Sequence, residues 1–270
     1  MRIGLFGTGR VATALGPALV AAGHELAFVA GRTQASVQAL AASAPGCVAL
    51  LLPLTQLLPP TDLCLLAVPD AAVPELLAAV AWPAGTLLAH LAGALPVAVF
   101  AKAPQVRGGV LYPLQTFSPG RAINWPVVPL FVEAPDAAAE TRLLALAHSL
   151  SQHVALLDSA QRLRLHLGAV FASNFTNHAL GIAHQLLGEA GLDFNLLAPL
   201  VRETVDKALG AQPGPFAVQT GPAARHDAPT LAAHTAALAA HPAWQALYTQ
   251  LTQSIQAAEA ALVARPPSPA

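Results

Sequence analysis

Three short stretches carry residue types at spacings suited to chemistry on a phosphorylated ligand. The first, Gly7-Thr8-Gly9-Arg10-Val11-Ala12, follows a mostly apolar segment, Arg2 to Phe6, and opens a helical pattern with Val11, Leu15, Leu19 and Val20 on one side. In a unit of strand, turn and helix, Gly7 permits the tight turn, Gly9 lets a pyrophosphate approach the backbone, and Ala12 lets the helix pack closely. The N–H groups and positive dipole at the start of the helix then face the phosphates. The second stretch, Gly31-Arg32-Thr33, follows a second strand, Glu25 to Ala30. An acidic residue here would hold ribose hydroxyls, whereas an arginine can pair with a 2′-phosphate. One charged hydrogen bond of ~1.5–3 kcal/mol corresponds to roughly a ten- to hundredfold preference for NADP over NAD.

The third stretch lies in an apolar helix, Ser159 to Ala190, where His166, Ser173, Asn174, Asn177, Gly181 and His184 fall on one face at helical spacing. Buried amides and imidazoles need partners. The stripe therefore either contacts a ligand and cofactor, making His166, Asn174 and Asn177 candidate catalytic residues, or joins a neighbouring helix through hydrogen bonds.

The elements that must position these residues follow a βαβ rhythm. After the helix Ser36 to Ala42 and the apolar run Cys47 to Leu52 comes Asp62 to Val68, whose near-continuous apolar character suits a parallel strand covered on both faces. It ends at Val68-Pro69, which a parallel sheet would turn toward the nucleotide crevice. A helix Pro74 to Val80 and a strand Thr86 to His90 follow. His90, at a carboxyl strand end, is either a polar contact in that crevice or a structural histidine. Further strands read at Gly108 to Leu111, Val127 to Glu133 and His153 to Leu157, with a helix Ala137 to Leu150 between the last two. The loop Tyr112-Pro113-Leu114-Gln115-Thr116-Phe117-Ser118 sets hydrogen-bonding side chains between aromatics.

Strands stop at Asp158-Ser159, which places a domain boundary near residue 157. The expected architecture is α/β, a doubly wound parallel Rossmann sheet over 1–157, then an all-α domain over 158–264, with a disordered tail at 265–270. The helical part adds Leu196 to Leu209, Pro229 to Ala240 and Pro242 to Ala264. Lys207 and Arg225 are candidate partners for a substrate carboxylate, and Arg225 and Asp227 could instead pair with each other or cap the next helix.

The 270 residues carry a net charge of -1, which leaves no basic field for nucleic acid. Only 10% of residues are charged and 55% are hydrophobic, and so low a surface charge points to a second subunit. The mean hydropathy of +0.55 raises a membrane span over Leu76 to Phe100, but Trp82-Pro83-Ala84-Gly85, Gly93 and Pro96 break that run. No charged leader precedes an apolar segment, so the expected compartment is the cytoplasm, with Cys47 and Cys64 reduced. The ten histidines show no ligand spacing with an acidic or thiol partner, so no metal is expected.

With both halves read, the chain resembles a family of bacterial two-domain proteins, a Rossmann-like NADP-binding domain followed by a domain of unknown function, DUF2520. The stretches that carry this are Gly7 to Ala12, Tyr112 to Ser118, Phe171-Ala172-Ser173-Asn174-Phe175-Thr176-Asn177-His178, and Gln219-Thr220-Gly221-Pro222 with Arg225 and Asp227. More distantly it is similar to pyrroline-5-carboxylate reductases, β-hydroxyacid dehydrogenases (whose C-terminal fold the 6-phosphogluconate dehydrogenases share) and deazaflavin (F420)-dependent NADP reductases. In the β-hydroxyacid dehydrogenases a lysine on the first long helix of the second domain protonates the substrate oxygen. Aligning the helices on the Gly-Leu-Asp that ends them puts His166 at that place, with water or Tyr112 as other proton donors. The resemblance implies hydride transfer between NADPH and a small C=O or C=N substrate, and the likeness to pyrroline-5-carboxylate reductases, which dimerise through their helical domain, implies a homodimer through the C-terminal helices. The contrasting expectation is an NADP-binding sensor or scaffold without turnover.

Overall fold

The computed structural model describes residues 1–54 and 56–263. The tail expected at 265–270 lies outside the described residues. The first part of the chain runs β1 (Arg2–Phe6), α1 (Arg10–Ala21), β2 (Glu25–Gly31), α2 (Gln34–Ala41), β3 (Val48–Leu51), β4 (Leu63–Leu66), α3 (Val73–Ala79), β5 (Leu87–His90), β6 (Arg107–Pro113), β7 (Leu130–Glu133), α4 (Ala137–Leu150) and β8 (Val154–Leu156). The eight strands form one sheet in the order β3-β2-β1-β4-β5-β6-β7-β8. Neighbours from β3 through to β6 are parallel. The expected doubly wound sheet is therefore present with one departure, since β7 runs antiparallel to β6 and β8 parallel to β7. Parallel return needs a crossover, usually helical. Between β6 and β7 there is only the short 3₁₀ turn Trp125–Val127, so the chain folds straight back.

Alternation along each strand loads both faces of the sheet. In β4, Leu63 and Leu65 join a core with Leu15 and Leu19 of α1, Val37 and Leu40 of α2 and Leu143 and Leu146 of α4, while Cys64 and Leu66 join one with Leu76 and Leu77 of α3, Trp82 and Phe100. Cover on both faces is what makes the β4 sequence read as a continuous apolar run. Both cysteines are free thiols, and burial pushes the Cys64 thiol up to about 11. No helix among the described residues is long and apolar enough to cross a membrane.

The boundary between compact units falls later than the change from strands to helices. The first unit spans Met1–Phe175 and the second begins at Thr176. The first therefore keeps α5 (Ser159–Ala169) and the π-helical turn Val170–Phe175 that continues it. The reason is electrostatic: Arg162 of α5, only 1% exposed, pairs with Glu133 of β7, and Ser159 donates to both oxygens of that carboxylate at 3.0 and 2.8 Å. A capping box at Asp158 and Gln161 starts the helix.

The second unit comprises α6 (Thr176–Glu189), α7 (Ala198–Gly210), α8 (Ala228–Ala237) and α9 (Pro242–Val263), all-α among the described residues. Its ties are local: His234 Nδ1 lies 2.9 Å from Tyr248 Oη, His241 meets Glu189 at 3.0 Å and stacks on Trp244. Asp227 caps α8 by accepting from Thr230, which takes the capping alternative for that residue. No residue of α6, α7 or α8 is buried, and Leu196, Leu200 and Leu209 stand exposed.

His90 closes β5 as expected but does not reach the crevice. Its ring is fully buried, stacks on Phe100, and accepts at Nδ1 from the Ala92 N–H at 3.2 Å. The inward-facing strand position decides this, since residue 90 shares its face with Leu88 and the Phe100 side of the core. Burial, with the Arg162 charge nearby, pushes its pKa down to about 3.

Two stability measurements follow. Replacing the fully buried Leu65 with Ala should cost ~2–5 kcal/mol in urea unfolding, while Leu57→Ala, at a side chain 88% exposed, should stay within ~0.5 kcal/mol. His90 is neutral when folded and ordinarily titrates at 6.5, so its contribution is complete above that pH and is lost as pH falls toward 3. Urea midpoints should therefore drop on acidification with a slope approaching ~1.4 kcal/mol per pH unit from this one group, and His90→Gln should remove that component.

Candidate functional site

The strand order turns at β1, with β2 on one side and β4 on the other, and the carboxyl ends of all three frame a cleft of about 600 Å³. Gly7 leaves β1 with φ +110°, and a β-carbon there would stand 2.2 Å from the Ala67 carbonyl oxygen. Both the dihedral and the contact demand glycine. Gly9 differs: its backbone is extended at φ -79°, ψ -173°, and a β-carbon would meet nothing within 4 Å. Neither strain nor packing calls for glycine at that position, and its backbone stands open toward the cleft. Gly9 is also the residue preceding α1, whose start has no side-chain cap and no acidic residue in its first turn. Its leading N–H groups therefore have no side-chain cap, the kind of helix start at which anions bind.

Thr8 Oγ donates to Ser36 Oγ at 3.1 Å, which donates to the Thr33 carbonyl at 3.0 Å, pinning the β1 turn to the start of α2. Beside this bridge Gly31 and Arg32 line the cleft, and the exposed Arg32 forms no ion pair among the described residues. Val68 and Pro69 line it from the end of β4. Of the other residues expected here, Arg10, Val11 and Ala12 form the first turn of α1, with Ala12 fully buried against the sheet, and Thr33 precedes α2. None of these four lines the cleft, nor does His90. Sequence reasoning missed Leu52, Pro53 and Leu54 after β3, and Ala72, Glu75, Leu76 and Ala79 at α3. Their only signal was position, after strands whose carboxyl ends converge.

A second cleft, of about 440 Å³, opens beyond β6 in the same compact unit. Tyr112, Leu114, Gln115 and Thr116 line it from the end of β6 and its loop, His166, Ala169 and Val170 from α5 and the residue after it, and Ala172, Ser173 and Asn174 from the π-turn. Tyr112 Oη lies 3.0 Å from His166 Nδ1. Gly93 backs the same edge of the imidazole, where a β-carbon would be 2.4 Å from Nδ1, so Nε2 is the far edge of the ring. Burial raises the Tyr112 hydroxyl pKa and the Arg162 charge works against that rise. The site thus pairs an imidazole and a phenol, both able to move a proton, with a hydroxyl and an amide from Ser173 and Asn174.

His166 and Asn174 come together in this cleft, while Asn177 belongs to the second unit. The regular spacing that grouped them assumed an uninterrupted α-helix. Val170–Phe175 is wound as a π-helix, whose wider turn takes an extra residue and breaks that register.

Among proteins of curated function, none matches this chain. The family model of a Rossmann-like domain matches residues 1–116, and that of a domain of unknown function, DUF2520, matches residues 128–255. A Bacteroides fragilis protein described as a candidate NADP oxidoreductase is 36% identical, superposes with a TM-score of 0.85, and the match covers 94% of this chain and 97% of that one. A Thermotoga maritima protein is similar in fold at 18% identity and TM-score 0.69, over 97% of this chain and 99% of that one. So is a reductive aminase from Aspergillus terreus solved with NADPH and ethyl-5-oxohexanoate, at 20% identity and TM-score 0.65, over 97% and 93%. Family models over residues 1–116 and 128–255 and an identity of 36% over nearly the whole length agree: the chain belongs to the family that joins a Rossmann-like domain to a DUF2520 domain.

Proposed function

We propose that the protein is an NADP(H)-dependent oxidoreductase that moves a hydride between the nicotinamide and the carbon of a small C=O or C=N substrate. The observation that carries this is Gly9: glycine where neither backbone nor packing needs it, open to a cleft, at the uncapped start of α1. The Gly7–Gly9 turn and the N–H groups of α1 hold the pyrophosphate, and Arg32 meets the 2′-phosphate as a charge-assisted partner. When bound, the cofactor supplies the hydride. The fold shared with a reductive aminase solved with NADPH and a ketone supports the same class of chemistry.

In this reading the second cleft takes the substrate. His166 protonates its oxygen or nitrogen, Tyr112 holds the His166 ring through Nδ1, and Asn174 orients the substrate through its amide. The protein assembles as a homodimer. Support comes from α5 and the π-turn, where Leu163, Leu167, Phe171 and Phe175 are exposed at intervals of four, and from the bare apolar side chains of α7. So much uncovered apolar surface is unusual on a monomer.

Purified protein should consume NADPH, followed by its absorbance, with at least one member of a panel of small ketones, cyclic imines and 2-oxoacids; binding without consumption of any would leave the sensor reading. His166→Ala should lower turnover ~100-fold with NADPH affinity nearly unchanged. Arg32→Ala should erode the preference for NADPH over NADH by roughly ten- to hundredfold, read from the two dissociation constants. In sedimentation equilibrium the chain should run at about twice its 27.5 kDa, and Leu196→Glu with Leu200→Glu should shift it toward the monomer.

A further inference from the structure

Arg162 takes a charge into the interior beside the second cleft, and its connections are unusual for a side chain with a simple packing role. Its guanidinium pairs with Glu133, donates to the Leu95 carbonyl at 2.6 Å and to Ser159 Oγ at 3.3 Å, and leaves Nε without a hydrogen-bond partner among the described residues. It thereby fastens the first turn of α5 both to β7 and to the segment after β5. His166 sits one helical turn further along α5, on the same side. Burying such a pair is costly, and apolar residues of the same volume often serve stability as well or better. A guanidinium keeps its charge when buried. What shares a face of the sheet with that charge is therefore informative: Glu133 on β7 pairs with Val110, two residues before Tyr112 on β6, so the Arg162–Glu133 pair and Tyr112 lie on one side, and Tyr112 meets His166 four residues after Arg162. Arg162 favours the neutral form of His90 and, against burial, the ionised form of Tyr112.

We propose that Arg162, backed by Glu133, is a positioning residue that lets Tyr112 and His166 act as a proton relay, its guanidinium placed to balance the negative charge that grows on Tyr112 Oη. The proposal rests on the reading of the cleft as the site of hydride transfer. The relay takes Tyr112 as the donor across its 3.0 Å contact with Nδ1, which leaves the ring's own proton on Nε2. As hydride adds to the carbon of the C=O or C=N bond, the Nε2–H bond breaks and its proton joins the substrate oxygen or nitrogen. The Oη–H bond of Tyr112 breaks in turn, its proton joins Nδ1, and the electron pair of that bond stays on Oη. A solvent proton taken up at Nε2, with the Nδ1 proton returning to Oη, restores the pair. The relay needs a tyrosinate in an apolar wall, which burial opposes and a fixed cation favours.

The chain has two tyrosines, so Tyr248→Phe leaves Tyr112 as the sole reporter. Full-length protein of that background, grown on difluorotyrosine so that the phenol ionises in a pH range where the protein is folded, is titrated by ¹⁹F NMR. Arg162→Met with Glu133→Gln should raise the midpoint by about one pH unit or more, while Arg162→Lys, which keeps the charge, should stay close to the parent. No rise in the double variant, or an equal rise in both, overturns the proposal. Should the double variant not fold, Glu133→Gln alone, which leaves the cation uncompensated, must lower the midpoint, and an unmoved midpoint overturns the proposal. On whichever panel compound the parent reduces, the double variant should lower kcat about tenfold with KM within about twofold; an unchanged kcat overturns the relay even if the midpoint moves. A parent that reduces nothing in the panel fails the functional reading and leaves the titration result standing.

Discussion

At Gly7 the chain leaves β1 so close to the end of β4 that a β-carbon would overlap the Ala67 carbonyl. The rest of the molecule's useful geometry follows from that approach. It lets two neighbouring parallel strands send their continuations to opposite faces of the sheet, and so opens the cleft between them. It also aims the start of α1 into that cleft with its N–H groups uncovered. A larger residue at position 7 would force β1 and β4 apart and misdirect the helix, whatever its effect on stability.

A second constraint, electrostatic this time, holds α5. Apolar packing alone would not keep this helix with the sheet, since Leu163 and Leu167 point to solvent. The Arg162–Glu133 pair, the Ser159 hydroxyl and the contact of His166 with Tyr112 and Gly93 do so instead. Polar ties are directional, which suits a helix that has to present one imidazole to one phenol more than it has to bury area. The π-turn that follows adds Ser173 and Asn174 to the same cleft at the expense of regular helical register.

The second unit shows the opposite balance. Its helices carry abundant leucine and alanine and still bury almost none of it, with Ala223 and Leu238 its buried apolar residues among those described. Local hydrogen bonds such as His234 with Tyr248, and the cap at Asp227, define the helices without giving them a core of ordinary size. That imbalance is the physical ground for the homodimer proposed above.

Much was legible in the amino-acid order alone, because it depends on local periodicity and backbone chemistry. The glycine turn at Gly7 and Gly9, the parallel strand at Leu63–Leu66, the helix Ala137–Leu150 and the passage from strands to helices near residue 158 all belong to this class, and each stands in the structure. Tertiary structure decided what pairs with what. It turned His90 inward onto Phe100, ran β7 antiparallel, kept α5 with the sheet through a salt bridge between residues 29 apart in sequence, and wound Val170–Phe175 as a π-turn. Periodicity reports which face of an element is apolar, but long-range partners such as Glu133 for Arg162, or Tyr112 for His166, exist only once the sheet has brought their strands and helices together.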